Sequence, residues 1–247
     1  MALSLHLGGR GELLVLLHGI GSRWQVWAPV LPRLEERFEV LVPTLAGASV
    51  PELADEVLRL AGDGPFHVAG SSMGGGVALE LGRRGAARSV TAFSPIGFWG
   101  PASRRWCQAS VTAARGCARA LAPALPALSR TAAGRVALFG LFFGHPTRVD
   151  PEAGLADARH LADGPGFAVA RAAFARHRFA GAEALAGIPV TIAWGTRDLI
   201  LPAFQARRAE RLLPSARHVR LPGCGHLPFA DDPRTCADLI VQGPAER

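Results

Sequence analysis

The sequence predicts an α/β fold: a mostly parallel central sheet with helices on both faces, plus an inserted α-helical cap. Short apolar runs alternate with amphipathic stretches near both ends of the chain, a pattern typical of parallel strands buried on both faces. Between Pro95 and Ile188, roughly ninety residues show no strand pattern, far more than the usual connection of about 4–6 residues. With 247 residues and 49% hydrophobic content, the chain can form one large core.

The core elements follow from this alternation. Apolar runs predict strands near 13–17, 38–42, 66–69, 89–93, 189–194 and 217–221. The amphipathic segments that follow most of them predict helices over 51–61, 74–84, 202–213 and 232–241. We therefore assign residues 1–97 and 186–247 to the core.

The segment 98–185 is rich in Ala, Arg and Leu and is predicted to form the helical cap. Its helix-like stretches, which prolines separate, lie near 104–120, 129–143, 151–163 and 166–177. Such a cap would cover a site, exclude water and select the substrate. The apolar run 136–143 either lines a pocket or packs the cap on the core, and the sequence leaves both readings open.

A sharp turn is predicted at Gly70-Ser71-Ser72-Met73-Gly74, between an apolar strand and a helix. This context is what a nucleophile elbow requires, because only glycine fits two residues to either side of so tight a turn. The helix that follows presents unpaired N–H groups where an oxyanion would form. Ser72 is therefore the candidate nucleophile.

A serine hydroxyl needs a histidine to take its proton and a carboxylate to orient that histidine. Asp198 follows the fifth predicted strand and His226 follows the sixth, so both lie at the edge of the sheet where catalytic groups gather. Asp231 and Asp232 are rival acids, but their position before Pro233 predicts that they cap the last helix. The candidate catalytic residues are thus Ser72, Asp198 and His226.

Four motifs in this order resemble those of the α/β-hydrolase superfamily, namely residues 13–19, 70–74, 194–202 and 223–228. The resemblance covers most of the chain and implies an oxyanion hole formed by the N–H groups of Ile20 and Met73. It also implies that His18 has a structural role in holding the oxyanion loop. Residues 43–49 depart from the pattern, because Thr44 stands where many relatives carry an acid, and the loop before the elbow strand is shorter.

The resemblance implies a carboxylesterase-like serine hydrolase (EC 3.1.1) that cleaves a carboxylic ester or thioester of a small, largely apolar metabolite through an acyl-enzyme, without cofactor or metal. Two alternatives stay open. One is a biosynthetic tailoring enzyme of the same fold that performs acyl transfer, cyclisation or C–C cleavage, and the other is a non-catalytic ligand-binding member. Residues expected to line the substrate pocket are Trp24, Phe98, Phe139, Phe143, Leu199 and Leu227.

Charge bears on the substrate as well. The net charge is +7, and the predicted cap holds eleven Arg against three Asp and two Glu. This surplus favours an acid-bearing substrate, either a free carboxylate or an acyl group on a carrier protein, unless the arginines are merely solvated.

Other classes of protein are disfavoured by the sequence. No zinc-finger, basic-zipper or aromatic-platform pattern indicates nucleic-acid binding. The four cysteines form no C-x-x-C pair, so we expect no metal site and free thiols typical of the cytoplasm. We also find no secretory signal and no apolar run of the roughly 20 residues that a membrane span needs. Oligomeric state is left open.

Overall fold

A seven-stranded sheet forms the centre of the computed structural model, which describes residues 5–45, 49–62 and 64–243. The strands are β1 Leu5–Gly9, β2 Glu12–Leu17, β3 Phe38–Pro43, β4 Phe66–Ser71, β5 Ala87–Phe93, β6 Val190–Gly195 and β7 Arg217–Leu221. Their order across the sheet is β1-β3-β2-β4-β5-β6-β7, with β1 antiparallel to β3 and all other neighbours parallel. The predicted mostly parallel sheet is confirmed, and β1 is an edge strand that the sequence prediction omitted.

Helices cover both faces of this sheet. In the described residues they are α1 Leu31–Glu35, α2 Val50–Ala61, α3 Met73–Arg83, α4 Pro101–Ala120, α5 Leu125–Arg130, α6 Ala132–Phe139, α7 Pro151–Asp163, α8 Phe167–Phe174, α9 Phe204–Leu212 and α10 Pro233–Gln242. The four predicted core helices correspond to α2, α3, α9 and α10, with ends that shift by at most two residues.

The alternation of side chains along β2 shows why the strands are apolar throughout. Val15 and Leu17 point into the hydrophobic cluster that α2, α3 and α9 share, whereas Leu14 and Leu16 point into the cluster on the opposite face, with α1 and α10. Successive side chains of a strand face opposite sides of a sheet, so a strand with helices on both sides has no polar face.

The segment between β5 and β6 contains α4 to α8 and no strand. α4 packs on α7, and α5 packs on α6 and α7. The sequence predicted one helix over 129–143, but the chain breaks at Thr131, whose backbone is extended (φ −100°, ψ 147°). The Thr131 hydroxyl accepts a hydrogen bond from Gly134 N at 3.0 Å, so it caps a second, separate helix.

Candidate active site

Ser72 lies on a strained turn between β4 and α3. Its backbone angles are φ 56° and ψ −112°, which L-residues rarely adopt. A side chain on Gly70 would overlap the carbonyl oxygen of Gly74, and one on Gly74 would overlap the carbonyl oxygen of Leu17. Ser72 O accepts from Gly76 N at 3.1 Å and from Ile96 N at 3.0 Å, so the surrounding backbone holds the turn in place. The turn has the geometry of a nucleophile elbow.

Asp198 and His226 meet beyond the carboxyl ends of β6 and β7. His226 Nδ1 lies 2.9 Å from Asp198 Oδ2, and both side chains are buried. Because a carboxylate only accepts, His226 donates from Nδ1, which leaves Nε2 free to accept a proton. The other oxygen of Asp198, Oδ1, accepts from Ile200 N at 2.9 Å and Leu201 N at 2.7 Å. The carboxylate is therefore held by three hydrogen bonds.

The loop after β2 lies against Ser72. A side chain on Gly19 would come within 3.8 Å of Ser72 Oγ, so the backbone of this loop borders the hydroxyl directly. Ile20 and Met73, whose N–H groups were predicted to form the oxyanion hole, line the same cavity as Ser72 and His226.

His18 fixes that loop in the way the resemblance implied. Its Nδ1 donates to Gly19 O at 2.8 Å, and its Nε2 accepts from Leu45 N at 2.8 Å. Burial lowers the pKa of His18 to about 4, so the ring is neutral and can make both bonds. Thr44, the residue before Leu45, has a buried hydroxyl with no hydrogen-bond partner among the described residues. Residues 46–48, which belong to the segment 43–49 that departs from the family pattern, lie outside the described part of the chain.

A cavity of about 340 Å³ extends from Ser72 and His226 into the helical segment between β5 and β6. Its wall is mostly apolar. Among the predicted pocket residues, Phe139, Phe143 and Leu227 line it. Lining residues that are also exposed mark a mouth between α4 and α6, namely Ala113, Cys117, Leu121 and Ala137.

The other three predicted pocket residues lie elsewhere. Trp24 stacks on His6, with 5.1 Å between the ring centroids. Phe98 is fully buried and stacks on Phe179 at 4.8 Å. Leu199 is exposed, and its carbonyl accepts from an indole. None of these three is among the residues that line the cavity, because an aromatic or aliphatic type near the elbow does not determine which way its side chain faces.

Sequence reasoning missed four polar residues that line the cavity, Ser22, Gln108, Asp157 and Arg171. Arg171 donates to Gln108 Oε1 at 3.1 Å. Other arginines of the segment have structural roles. Arg115 donates hydrogen bonds to the carbonyls of Leu161 and Gly164, and Arg119 donates one to the carbonyl of Ala162. These guanidinium groups therefore connect α4 to the C-terminal end of α7.

Asp231 has a role that the sequence did not indicate. Asp232 caps α10 as predicted, accepting from Thr235 N at 3.1 Å. Asp231 instead accepts from Gly144 N and Gly225 N at 2.8 Å and from His145 N at 2.7 Å. It therefore ties the loop that carries His226 to the loop after α6. Two of its partners, Gly144 and His145, lie more than eighty residues away in sequence, so no local pattern could have revealed this role.

Two cysteines near this site, Cys107 in the cavity wall and Cys224 two residues before His226, have buried thiols. Burial raises the pKa of Cys107 and of Cys224 to about 12, so both thiols are neutral at physiological pH. Within the described ranges, no group of three or more His, Cys, Asp or Glu side chains could hold a metal ion. None of the helices in the described residues is long and apolar enough to cross a membrane.

Comparison with known proteins identifies the class. Residues 14–239 match the alpha/beta hydrolase family, and the chain belongs to that family. It is 30% identical over 267 residues to a pimeloyl-[acyl-carrier protein] methyl ester esterase of Aromatoleum aromaticum, covering 92% of this chain and 96% of that protein. It is 26% identical over 276 residues to an uncharacterised protein of Mycobacterium tuberculosis, covering 96% and 76%.

Solved structures agree on the fold. The crystal structure of an esterase from Rhodococcus sp. ECU1013 superimposes with a TM-score of 0.74 at 22% identity, over 99% of this chain and 94% of that one. The esterases among the relatives and the family match together make the protein a hydrolase of the α/β class.

Proposed function

We propose that this hydrolase cleaves a carboxylic ester or thioester, with Ser72 as nucleophile, His226 as general base and Asp198 as the acid that orients it. The observation that carries the proposal is the 2.9 Å bond from His226 to the buried Asp198, made where His226 lines the same cavity as the strained Ser72. Nucleophile, base and orienting acid are the parts that acyl transfer through a serine requires.

The first half of the proposed reaction forms an acyl-enzyme. His226 Nε2 takes the proton from Ser72 Oγ as the oxygen attacks the carbonyl carbon, and the carbonyl electron pair moves to its oxygen. The N–H groups of Ile20 and Met73 donate to that oxyanion, and loss of one such donor costs about 10²–10³ in rate. The oxyanion then collapses and expels the alcohol or thiol, which takes the proton from His226 as it leaves.

The second half restores the enzyme. His226 takes a proton from water, the hydroxide attacks the acyl carbon, and Ser72 leaves with the proton from His226. Asp198 stabilises the imidazolium in both halves without becoming protonated. The residues present suffice for this chemistry, so the proposal includes no cofactor and no metal.

The helical segment 98–185 is the cap of the site in this proposal. It supplies most of the cavity wall, including Val111, Phe139 and Phe174, so it would exclude water and select the acyl group. The mouth between α4 and α6 would then admit substrate. The division into a core of residues 1–97 and 186–247 and a cap of 98–185 rests on this interpretation.

The apolar wall supports a small, largely apolar acyl group. Arg171 is the one arginine among the residues that line the cavity, so it is our candidate partner for an acid at the far end of the substrate. The relative from Aromatoleum aromaticum is by its name an esterase of a carrier-bound methyl ester. We therefore include acyl groups on carrier proteins in the proposed substrate class. The four unpaired cysteines support a cytoplasmic location.

A panel of p-nitrophenyl esters and thioesters of increasing chain length tests the proposed activity. We expect turnover by the wild type and by Ser71→Ala, whose serine adjoins the nucleophile, and a loss of at least about 10³-fold in Ser72→Ala. Acid products formed in H₂¹⁸O should carry the label. Unlabelled products or acyl transfer to another acceptor would favour a tailoring enzyme, and folded protein without turnover would favour a ligand-binding role.

The acid-bearing part of the proposal has its own test. A monomethyl dicarboxylate and the methyl monocarboxylate of equal length differ only in the distal acid. Arg171→Gln should lower kcat/KM for the dicarboxylate selectively, whereas Arg176→Gln, at an exposed arginine beyond α8, should not. An equal effect of Arg171→Gln on both esters would refute the role of Arg171.

A further inference from the structure

A partly buried aspartate interrupts the mostly apolar wall of the cavity. Asp157, on α7, lines the cavity that also holds Ser72 and His226. Its Oδ1 is enclosed by the protein and has no hydrogen-bond partner among the described residues. Enclosing a carboxyl oxygen without a partner costs free energy, and native structures rarely retain such a group without a reason.

The contacts of α7 place this carboxyl beside the oxyanion loop. α7 packs on the 3₁₀ turn Trp24–Trp27. Leu161, one helical turn after Asp157, also lines the cavity, and a side chain on Gly21 would come within 2.6 Å of Leu161 Cδ1. Residues four apart share a helix face, so Asp157 faces the same loop that carries Ile20. The carboxyl therefore lies on the loop side of the cavity, not at its mouth.

The electrostatic surroundings limit what Asp157 can bind. Burial raises the pKa of Asp157 to about 7, although the positive charge of Arg23 opposes the shift. Arg23 and Asp157 form no ion pair within the described residues, and Arg23 Nε is itself buried without a partner. Near neutral pH the carboxyl therefore exists in both protonation states. An ammonium group would be repelled by Arg23, and a second carboxylate would be repelled by ionised Asp157.

We propose that Asp157 forms a polar subsite that binds a hydroxyl group of the substrate, so that the preferred substrate is a hydroxyl-bearing ester. A hydroxyl suits both forms of the carboxyl, because it donates to a carboxylate and accepts from a carboxylic acid. The buried hydroxyl of Ser22, which also lines the cavity and has no partner among the described residues, is a second polar group on the same side. This inference names the substrate class of the proposed site and rests on the proposed function.

Matched ester pairs test the subsite. Each pair is a p-nitrophenyl alkanoate and its 2-, 3- or 4-hydroxy derivative, and the readout is the ratio of kcat/KM for the hydroxy ester over the parent. We expect one regioisomer to be preferred by at least tenfold in the wild type, because a site that hydrogen-bonds a hydroxyl discriminates strongly against its absence. Asp157→Leu should lower that ratio at least tenfold. Asp163→Asn, at an exposed acid in the last turn of the same helix, should leave it unchanged.

Binding separates this inference from the proposed activity. In Ser72→Ala, where ester is not consumed, calorimetry gives Kd for each pair, and Asp157→Leu in that background should abolish the hydroxyl preference. If the wild type binds the hydroxy esters preferentially but does not turn them over, ester hydrolysis is refuted and the subsite proposal is retained. Turnover or binding without hydroxyl preference would overturn the subsite. A fall in the thermal midpoint of Asp157→Leu by 5 °C or more would also overturn it, since that result would assign Asp157 a structural role.

Discussion

Replacement of Asp198 by Asn tests how the site holds its histidine. The amide keeps the shape of the carboxylate but has one acceptor where the carboxylate has two. In the wild type Oδ1 accepts from Ile200 N and Leu201 N, and Oδ2 accepts from His226 Nδ1. The amide oxygen can serve the two backbone donors or the histidine, but not both.

The structure predicts which orientation of the amide in Asp198→Asn has the lower free energy. Turning the NH₂ group toward Ile200 N and Leu201 N would leave two buried donors unpaired, at about 1–3 kcal/mol each. Turning it toward His226 leaves the backbone pair intact and places a donor, not an acceptor, opposite His226 Nδ1. His226 must then accept at Nδ1, so Nε2 carries the proton and cannot take one from Ser72. We expect kcat to fall about 10⁴-fold, the loss known for the wrong tautomer in such a triad, equivalent to about 5.4 kcal/mol.

The assay is kcat on the best p-nitrophenyl ester, with the thermal midpoint as the check on folding. Asp198→Ala is the comparison variant, because it removes the oxygen that pairs with the backbone and should also destabilise the protein. A loss in kcat below tenfold for Asp198→Asn, with the midpoint unchanged, would refute the assignment of Asp198 as the orienting acid.

Three further predictions follow from the same structure. Gly70→Ala should unfold the protein or lower its stability by several kcal/mol, because the methyl group would overlap the backbone of the elbow. Gly116→Ala is the control, since Gly116 lies in open space on α4. In denaturant titrations it should raise the free energy of unfolding by about 0.5–1 kcal/mol. Cys117 is exposed at the mouth of the cavity, while the other three cysteines are buried. A bulky maleimide should therefore lower turnover at least tenfold in the wild type and leave turnover by Cys117→Ala unchanged. Equal inhibition of both proteins would place the mouth elsewhere. The pKa of His18 is about 4 in the folded protein and 6.5 when the ring is exposed, so the unfolded chain binds the proton first as pH falls. We therefore expect the free energy of unfolding to fall by about 3 kcal/mol between pH 6.5 and pH 4 because of His18. His18→Gln should show a weaker pH dependence of the unfolding free energy over that range, and a parallel dependence would contradict the role of His18.

The parts of the fold that were predictable are those in which a local constraint acts. Gly70 and Gly74 are needed because side chains there would overlap backbone atoms, so a sterically required pattern marks the elbow in the sequence. Asp198 and His226 were predicted because each follows a strand directly, and parallel strands bring their carboxyl ends to one edge. β1 was not predicted because it is a short, largely exposed edge strand with glycines at its end.

The parts that were not predictable depend on contacts between distant segments. Asp231 resembles a helix cap in sequence, and only the packing of the loop at Gly144 against the His226 loop gives it three backbone donors. Phe98 and Phe139 are both aromatic residues in the predicted cap, yet one packs in the core and the other lines the cavity. Asp157 shows the same limit, because a single acid in a helix does not reveal that one of its carboxyl oxygens will be enclosed.

The measurement that tests the central claim most directly is intact mass after treatment with a fluorophosphonate, a probe that reacts with activated serines. We predict one adduct on the wild type and on Ser71→Ala, and none on Ser72→Ala, with peptide mapping that assigns the adduct to Ser72. A folded wild-type protein that stays unlabelled, or an adduct that persists in Ser72→Ala, would contradict the proposal that Ser72 is the nucleophile activated by His226 and Asp198.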